Sequence, residues 1–260
     1  MKRNEPRTIQ SVEKAMEIID VILDHGSSMT LTEISEKTGY PKSTCHTIIA
    51  TLVKYEMIQQ EADGKYNLGF HLFECGCAIS RAWDIERIAE PYLEKLSRNT
   101  DASASISVIS NSSIIFLKQH SGGDGIQLMQ TGTQSPLHAT SQGKLFLSTL
   151  KERDAQRMIE ETGMQAFTPH TITDPEQLME ELRKIRDLGY AVEDGEYKIG
   201  LRSVSAPVYD QHGEIKYALT IMGLFRRTNS SEFSNAISEL LSESRQLSRA
   251  IGWRGERAHV

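Results

Sequence analysis

The sequence predicts a two-domain protein, in which a mainly helical N-terminal domain with one β-hairpin precedes an α+β domain built around an antiparallel sheet. Three observations support this prediction. The chain has 260 residues, more than one ordinary domain of ~100–200 residues needs. Apolar residues recur at helical spacing between residues 11 and 56. Beyond residue 100, short alternating runs bounded by turn residues mix with helical runs.

The composition is that of a globular protein with a real core, because 38% of the residues are hydrophobic and 25% are charged. No apolar run approaches the ~20 residues of a membrane span, and the first residues lack the apolar stretch of a signal peptide. We therefore expect a cytoplasmic protein. Three cysteines without CxxC spacing fit a reducing compartment. Because the net charge is −6, any binding to nucleic acid must come from a local surface.

The first predicted element is an amphipathic helix over residues 11–25. Ser11 is its predicted N-cap, and Gly26 is its predicted end. Spacings of three and four residues separate its apolar positions, which are Val12, Ala15, Met16, Ile19, Ile22 and Leu23.

A helix-turn-helix follows the first helix. A capping box at residues 30–33 opens a short second helix that Gly39 ends. After a tight turn, Pro41 is predicted as the first residue of a third helix, where the missing N–H of proline is tolerated. Two short helices joined by a turn that contains glycine are typical of the motif that offers its second helix to the major groove of DNA.

The outward face of the third helix is small, polar and free of acids until Glu56, so it can approach a phosphate backbone and base edges closely. Residues 57–68 then form two short extended runs around Asp63 and Gly64, a hairpin that would serve as a wing. The alternative is a three-helix packing module that touches no DNA. The outward positions of the third helix are Lys42, Ser43, His46, Thr47, Ala50 and Lys54.

The second domain begins after a helical stretch. Residues 71–100 are predicted to be helical with an interruption near Trp83 and Asp84, where we place the domain boundary. The elements that follow, in chain order, are a hairpin of two strands around 111–113, a helix from Asp174 to Gly189, strands over 204–209 and 215–222, and a closing helix over 231–251. Hairpins mixed with helices indicate an α+β domain with an antiparallel sheet.

Several collinear motifs resemble the IclR family of bacterial transcriptional regulators. Residues 31–34, 41–44, 50–52 and 65–69 resemble its winged helix, and residues 136–144 and 200–207 resemble its two effector-domain signatures. The resemblance extends from about residue 9 to residue 252. It implies an N-terminal arm and winged helix-turn-helix over 1–71, a linker helix over 72–84, and a GAF-like effector-binding domain over 85–260.

The resemblance also implies partners. Members bind double-stranded operator DNA and a small organic effector, often a carboxylate, and usually work as homodimers that pair into tetramers. Leu72, Phe73 and Ile79 of the linker helix are the residues that we expect to bring two chains together. Two positions depart from the family pattern, because Thr47 replaces a common Arg and Ser203 replaces a common Cys. The first departure affects the base preference, and the second affects the effector.

The resemblance places the effector site around the start of a helix. Thr140 and Ser141 precede an apolar helical run, and free backbone N–H groups at a helix start can receive a carboxylate. The family pocket carried over to this sequence comprises Ser141, Gln142, Glu193, Ser203, Thr220 and Met222. The alternatives are an ordinary capped helix and ordinary sheet packing. Arg202 is either a counter-ion for the effector or half of a structural salt bridge.

The expected effector is a small monocarboxylate that bears hydroxyls, either a sugar acid or a hydroxylated aromatic acid, because the predicted pocket is rich in hydroxyl groups. The predicted DNA contacts fall into two groups. The cations are Lys42 of the recognition helix, Lys65 of the wing and the arm residues Lys2, Arg3 and Arg7. The other contacts lie on the recognition helix and are Ser43, Thr44, His46 and Thr47.

Catalytic motifs do not support an enzyme. The sequence has no G-x-S-x-G elbow and no HExxH or comparable metal spacing, so we predict no catalysis, no metal and no cofactor. The alternative reading is a metabolite-binding or catalytic GAF-like protein whose helical N-terminus serves only for assembly. The operator sequence, the effector and the sense of regulation stay open.

Overall fold

The computed structural model describes residues 8–82, 85–122 and 132–255, without the side chains of residues 79–82. The chain divides into two compact units between residues 83 and 84. No helix in the described ranges is long and apolar enough to cross a membrane.

The first unit is a winged helix-turn-helix, as predicted. Its helices are α1 (Gln10–His25), α2 (Leu31–Thr38), α3 (Lys42–Lys54) and α4 (Phe70–Ala82), and its wing is β1 (Ile58–Gln60) and β2 (Tyr66–Leu68). The two strands pair antiparallel, with Ile58 opposite Leu68. Buried side chains from α1, α2, α3 and the wing form one core, which includes Ile18, Ile22, Met29, Ile34, Cys45, Ile49 and Ile58.

The local signals in this unit are mostly confirmed. Gly26 caps α1, the side chains of Thr30 and Glu33 form the predicted capping box, and Gly39 ends α2 at a φ of +72° that favours glycine. The predicted starts of two helices were wrong by one or two residues. Ile9 caps α1 instead of Ser11, because its carbonyl already accepts two helical N–H groups. Pro41 is the cap of α3 and not its first helical residue, because its ψ is extended at 141°.

The second unit is the predicted α+β domain. Its helices are α5 (Ile85–Thr100), α6 (Ser141–Thr149), α7 (Glu152–Thr162), α8 (Pro175–Leu188) and α9 (Ser231–Ala250). Its strands are β3 (Ser103–Ser110), β4 (Ser113–His120), β5 (Gln134–Ser135), β6 (Ala191–Asp194), β7 (Arg202–Tyr209) and β8 (Ile215–Gly223). The strands form one antiparallel sheet in the order β5-β4-β3-β8-β7-β6.

The two faces of this sheet differ in chemistry. On one face, Ala104, Ile106 and Leu219 join a large apolar core with α5 and α9. The opposite face, which we call the α6 face, packs on α6 and α8 through a smaller apolar core that includes Phe116 and Ala218. Because side chains alternate along a strand, the residues between those of the first face point to the α6 face. They are mostly hydroxyl residues, namely Ser103, Ser105, Ser107, Ser203, Ser205 and Thr220.

Candidate functional site

The recognition helix α3 presents the predicted polar face to the surface. Lys42, Ser43, His46 and Thr47 are exposed, and Thr44 is half-buried. The Thr47 hydroxyl donates to the Ser43 carbonyl at 2.9 Å, so the oxygen of this hydroxyl stays an acceptor toward a partner. These side chains therefore share one accessible surface with a cation at its N-terminal end.

An open groove of about 810 Å³ runs beside α3. Ser43, Thr44 and Thr47 line one side, and Ser11 and Lys14 from the start of α1 line the other. Lys14 Nζ lies 5.0 Å above the ring of Tyr40, the residue before Pro41 in the turn. The sequence reading missed Lys14, whose position beside α3 depends on tertiary packing of α1.

The other predicted DNA contacts are less well placed or lie outside the described residues. Lys65 in the wing is partly exposed, and its Nζ lies 3.2 Å from Asp63 Oδ2 of the same turn. Lys2, Arg3 and Arg7 fall outside the described ranges. The pKa of Asp63 is lowered, first by the backbone N–H of Lys65 and then by its side chain, so this acid stays charged beside the lysine.

A chain of buried hydroxyls links the predicted effector residues. Ser141 Oγ, in the first turn of α6, lies 2.8 Å from Ser203 Oγ and 2.7 Å from Ser205 Oγ on β7. Ser205 Oγ in turn lies 2.7 Å from Thr220 Oγ1 on β8. Ser203 Oγ donates to Glu193 Oε2 at 3.1 Å. The structure thus brings together Ser141, Ser203, Thr220 and Glu193, and adds Ser205.

The remaining predicted effector residues also lie at this place. Gln142 is fully buried, and its Oε1 accepts a hydrogen bond from Ser141 Oγ at 3.1 Å. Met222 is buried opposite Ser203 in the β7–β8 register. Alternation of Ser203 and Ser205 along one strand was the sequence signal for Ser205, because both side chains must reach the same face.

Glu193 is a buried carboxyl group held by two backbone donors. Glu196 N–H donates to its Oε1 at 2.7 Å, and Tyr197 N–H donates to the same oxygen at 3.1 Å. Desolvation by burial raises the pKa of Glu193 to about 7, and it outweighs the lowering by Tyr197 N–H and the Ser203 hydroxyl. The carboxyl group therefore titrates near neutral pH.

The charge on Glu193 sets the direction of the Ser203 hydroxyl, because a serine hydroxyl has a single proton to donate. When Glu193 is ionised, Ser203 donates to it and cannot donate to Ser141, whose own proton goes to Gln142 Oε1. When Glu193 carries a proton on Oε2, Ser203 is free to donate to Ser141. Protonation of Glu193 thus releases the Ser203 hydroxyl as a donor toward Ser141.

The start of α6 is fixed by its cap and by a close backbone approach. Thr140 Oγ1 accepts a hydrogen bond from Gly143 N–H at 3.2 Å, as predicted for a capped helix. A Cβ at Gly143 would lie 2.3 Å from the Leu137 carbonyl oxygen, so only glycine fits. The first N–H groups of α6 have no acceptor within the helix. Ser141 of this first turn contacts the hydroxyl chain through its side chain.

Lys144 forms a buried ion pair that sequence reasoning missed. Its side chain is 1% exposed, and its Nζ lies 2.5 Å from Glu196 Oε1. The pair connects α6 to the loop after β6, whose N–H groups hold Glu193. Thr168 and Thr171 hold the same loop through the carbonyls of Gly195 and Glu196.

Of the two roles considered for Arg202, the structure shows the salt bridge. Its Nε lies 2.7 Å from Asp194 Oδ1, and its Nη1 donates to the Phe225 carbonyl at 2.5 Å. The guanidinium therefore joins the ends of β6 and β7 to the residues after β8, and it is not available as a counter-ion in this arrangement.

The predicted assembly residues on α4 differ in exposure. Phe73 is 63% exposed, and its ring lies 5.3 Å from the equally exposed Phe70. Leu72 is half-buried and packs on the core of its own unit. The side chain of Ile79 lies outside the described residues. The exposed part of the predicted surface is thus the Phe70–Phe73 pair.

Comparison with known families and proteins gives consistent matches. The model of the IclR helix-turn-helix domain matches residues 11–62, and the model of the bacterial transcriptional regulator IclR C-terminal domain matches residues 77–249. The chain is 32% identical over 247 residues to the HTH-type transcriptional regulator XynR of Escherichia coli strain K12, covering 94% of this chain and 98% of XynR.

Solved structures give the same match. An IclR transcriptional regulator from Alicyclobacillus acidocaldarius superposes with a TM-score of 0.79 at 26% identity, covering 95% of this chain and 100% of that one. An IclR homolog from Microbacterium hydrocarbonoxydans complexed with 4-hydroxybenzoate shares the fold, with a TM-score of 0.76 at 20% identity over 92% of this chain and 99% of that one.

Proposed function

The chain belongs to the IclR family of bacterial transcriptional regulators, and we propose that it binds a pseudo-palindromic operator under the control of a small organic acid. The relatives that it matches are named as transcriptional regulators and not as enzymes. The observation that carries the proposal is the exposed, acid-free face of α3 in a chain whose second unit buries a polar site.

On this proposal, each residue of the DNA surface has a role. Lys42 contacts a phosphate, and His46 and Thr47 reach base edges in the major groove, with Ser43 and Thr44 beside them. Lys2, Arg3 and Arg7 of the N-terminal arm and Lys65 of the wing supply further phosphate contacts. The exposure of α3 supports the first group, because a recognition helix must be free to enter the groove.

Two substitutions separate positioning from base reading. Lys42→Ala should weaken binding to all duplexes alike and reduce the slope of log affinity against log salt by about one unit. Thr47→Ala should keep that slope and change the preference at one base pair by ~1–3 kcal/mol. The measurement is fluorescence anisotropy with a duplex from the DNA upstream of the protein's own gene, at several salt concentrations.

Lys151→Ala is the matched control, since Lys151 is an exposed lysine of the other unit. It should leave both the affinity and the salt slope unchanged. If Lys42→Ala and Thr47→Ala both behave like this control, the α3 face does not bind DNA.

The buried hydroxyl chain supports the effector part of the proposal. A carboxylate at the start of α6 would accept hydrogen bonds from the first backbone N–H groups of this helix and from the Ser141 hydroxyl. The helix dipole favours an anion there by ~0.3–1 kcal/mol. Ser203 and Thr220 would bind hydroxyls of the effector, with Met222 as an apolar wall and Gln142 and Glu193 as amide and carboxyl partners. The 4-hydroxybenzoate complex of the Microbacterium neighbour supports a hydroxylated carboxylate as the class of ligand.

We also propose that the protein is a homodimer that pairs further into a dimer of dimers. A lone winged helix binds DNA weakly, whereas two linked winged helices on adjacent half-sites gain effective concentration. The exposed rings of Phe70 and Phe73 supply apolar surface on α4 for such an interface. Multi-angle light scattering at micromolar concentration should give at least twice the 29.2 kDa of one chain, and Phe73→Asp should lower that mass. A monomer for the unsubstituted protein would refute this assembly.

A further inference from the structure

A β-bulge interrupts the pairing of β3 with β4. Ser107 of β3 pairs with Phe116, but the residue before it, Ile106, pairs with Lys118. Leu117 is therefore the extra residue of the bulge. Because of the extra residue, the side chains after the bulge point to the opposite face from the one that strict alternation would give them.

The bulge decides where Gln119 points. Under strict alternation, Gln119 would share a face with Leu117, which packs into the apolar core beside α5 and α9. Because of the bulge, Gln119 pairs instead with Ser105, and Ser105 is opposite Thr220 of the hydroxyl chain. An amide side chain is thus brought onto the α6 face, two strands from Thr220. Bulges are frequent beside functional sites because they re-aim side chains in this way.

Three buried polar atoms on this face of the sheet and on α6 have no protein partner. Within the described residues, Ser107 Oγ, Gln119 Nε2 and Gln142 Nε2 are each buried and accept or donate no hydrogen bond. Ser107 and Gln142 are fully buried as whole residues. Folded proteins seldom leave such groups unpaired, because an unmet buried hydrogen bond is costly. Two of them lie on neighbouring strands of the α6 face and the third lies on α6, which packs on that face, so their placement points to a ligand that supplies the missing partners.

The chemistry of these atoms selects the ligand group. Gln119 and Gln142 offer amide N–H donors, and Ser107 offers a hydroxyl that both donates and accepts. A ligand hydroxyl satisfies both kinds of partner, whereas an apolar ring edge satisfies neither. Neighbouring strands lie ~4.8 Å apart, so β4 is about 10 Å from β8. That distance can be spanned by a short hydroxylated carbon chain together with the side chain of Gln119.

We propose that Ser107 and Gln119 form a second subsite of the effector pocket, which binds the hydroxyl groups of a polyhydroxy acid. The inference rests on the proposed effector function and narrows it from organic acids in general to sugar acids. The carboxylate end of the ligand lies at the start of α6 beside Ser141 and Gln142, and its hydroxylated chain extends across β8 and β3 toward β4.

The test compares two classes of carboxylate, with and without hydroxyls on the carbon chain, by isothermal titration calorimetry on the full-length protein. The probes are aldonates, D-gluconate and D-galactonate, and hexanoate, which has the same number of carbon atoms and no hydroxyl on its chain. Ser107→Ala and Gln119→Leu should each weaken aldonate binding roughly tenfold, the size of one lost hydrogen bond in a buried site. Both variants should leave the weaker binding of hexanoate unchanged.

The melting temperature of the ligand-free variants gives a second readout. Removing an unpaired buried polar group should leave the melting temperature unchanged or raise it. Ser97→Ala is the matched control, because Ser97 is a buried serine whose hydroxyl donates to the Glu94 carbonyl of its own helix α5. It should not change aldonate affinity.

The following results would overturn the subsite. Aldonate affinity that is unchanged in both variants, or lost equally for hexanoate, would show that Ser107 and Gln119 do not bind ligand hydroxyls. A clear fall in melting temperature for ligand-free Ser107→Ala would assign its hydroxyl a structural partner. If neither aldonates nor hexanoate bind while the operator duplex does, the proposed effector pocket is refuted and the DNA-binding proposal stands. If hexanoate binds and aldonates do not bind more tightly, only the proposed subsite is refuted.

Discussion

Lys144→Ala should lower the free energy of unfolding of the second unit by about 3–5 kcal/mol, the cost of leaving one member of a buried ion pair without its partner. Lys144 is 1% exposed and its Nζ lies 2.5 Å from Glu196 Oε1. Without the ammonium group, the Glu196 carboxylate stays buried in a loop that is also held by Thr168 and Thr171. The melting temperature of this transition should fall by roughly 10 °C.

The matched controls are Lys151→Ala and a double variant. Lys151 is an exposed lysine that follows α6, so its loss should change the free energy of unfolding by less than about 0.5 kcal/mol. Lys144→Met combined with Glu196→Met removes both charges and should recover most of the loss, because an apolar pair of similar volume can replace a buried ion pair. Equal melting temperatures for Lys144→Ala and Lys151→Ala would contradict the ion pair's role.

Glu193→Gln should stabilise the protein above pH 7 by up to about 3 kcal/mol, the free energy that corresponds to the rise of the Glu193 pKa from 4.5 to about 7. Since the folded-state pKa is the higher one, the folded state binds more protons between pH 4.5 and 7, and stability falls as pH rises through that window. Glutamine reproduces the protonated carboxyl, because its Oε1 accepts from the Glu196 and Tyr197 N–H groups and its Nε2 donates to Ser203.

The same substitution should change the pH dependence of effector binding. In the unsubstituted protein, an anionic ligand meets a negative Glu193 above pH 7, so its affinity should fall by up to tenfold per pH unit. Glu193→Gln should bind the same ligand with constant affinity between pH 6 and 8. The readings are urea unfolding at pH 5 and 8 and calorimetry over that pH range. Parallel pH profiles for the two proteins would exclude Glu193 as the titrating group; Glu196 and Lys144 are the other charged groups beside it.

Local signals in the sequence predicted the first unit well. The capping box at Thr30 and Glu33, the left-handed Gly39 and the Asp63–Gly64 turn each depend on a few neighbouring residues, so their effect is visible in the sequence alone. The helix α7 was not predicted, because only Ala155 and Ile159 of its residues are buried and a short polar stretch resembles a loop.

The second unit's site depends on contacts between distant parts of the chain. Thr220 and Met222 share a face because side chains alternate along β8, and the register places them opposite Ser205 and Ser203. No local pattern could predict that Lys144 is buried against Glu196, 52 residues away, or that a bulge at Leu117 turns Gln119 onto the α6 face. A lysine beside a glycine is more often exposed, and a bulge changes the period that pattern reasoning assumes.

If one ligand controls DNA binding by this chain, binding of the ligand and binding of the operator are reciprocally coupled. The affinity for the upstream duplex is measured by anisotropy with and without a saturating carboxylate ligand, and the affinity for that ligand is measured by calorimetry with and without saturating duplex. Each partner should change the affinity of the other by the same factor, typically about 5–150-fold. Duplex affinity that does not change when the second unit is saturated with ligand would contradict this coupling.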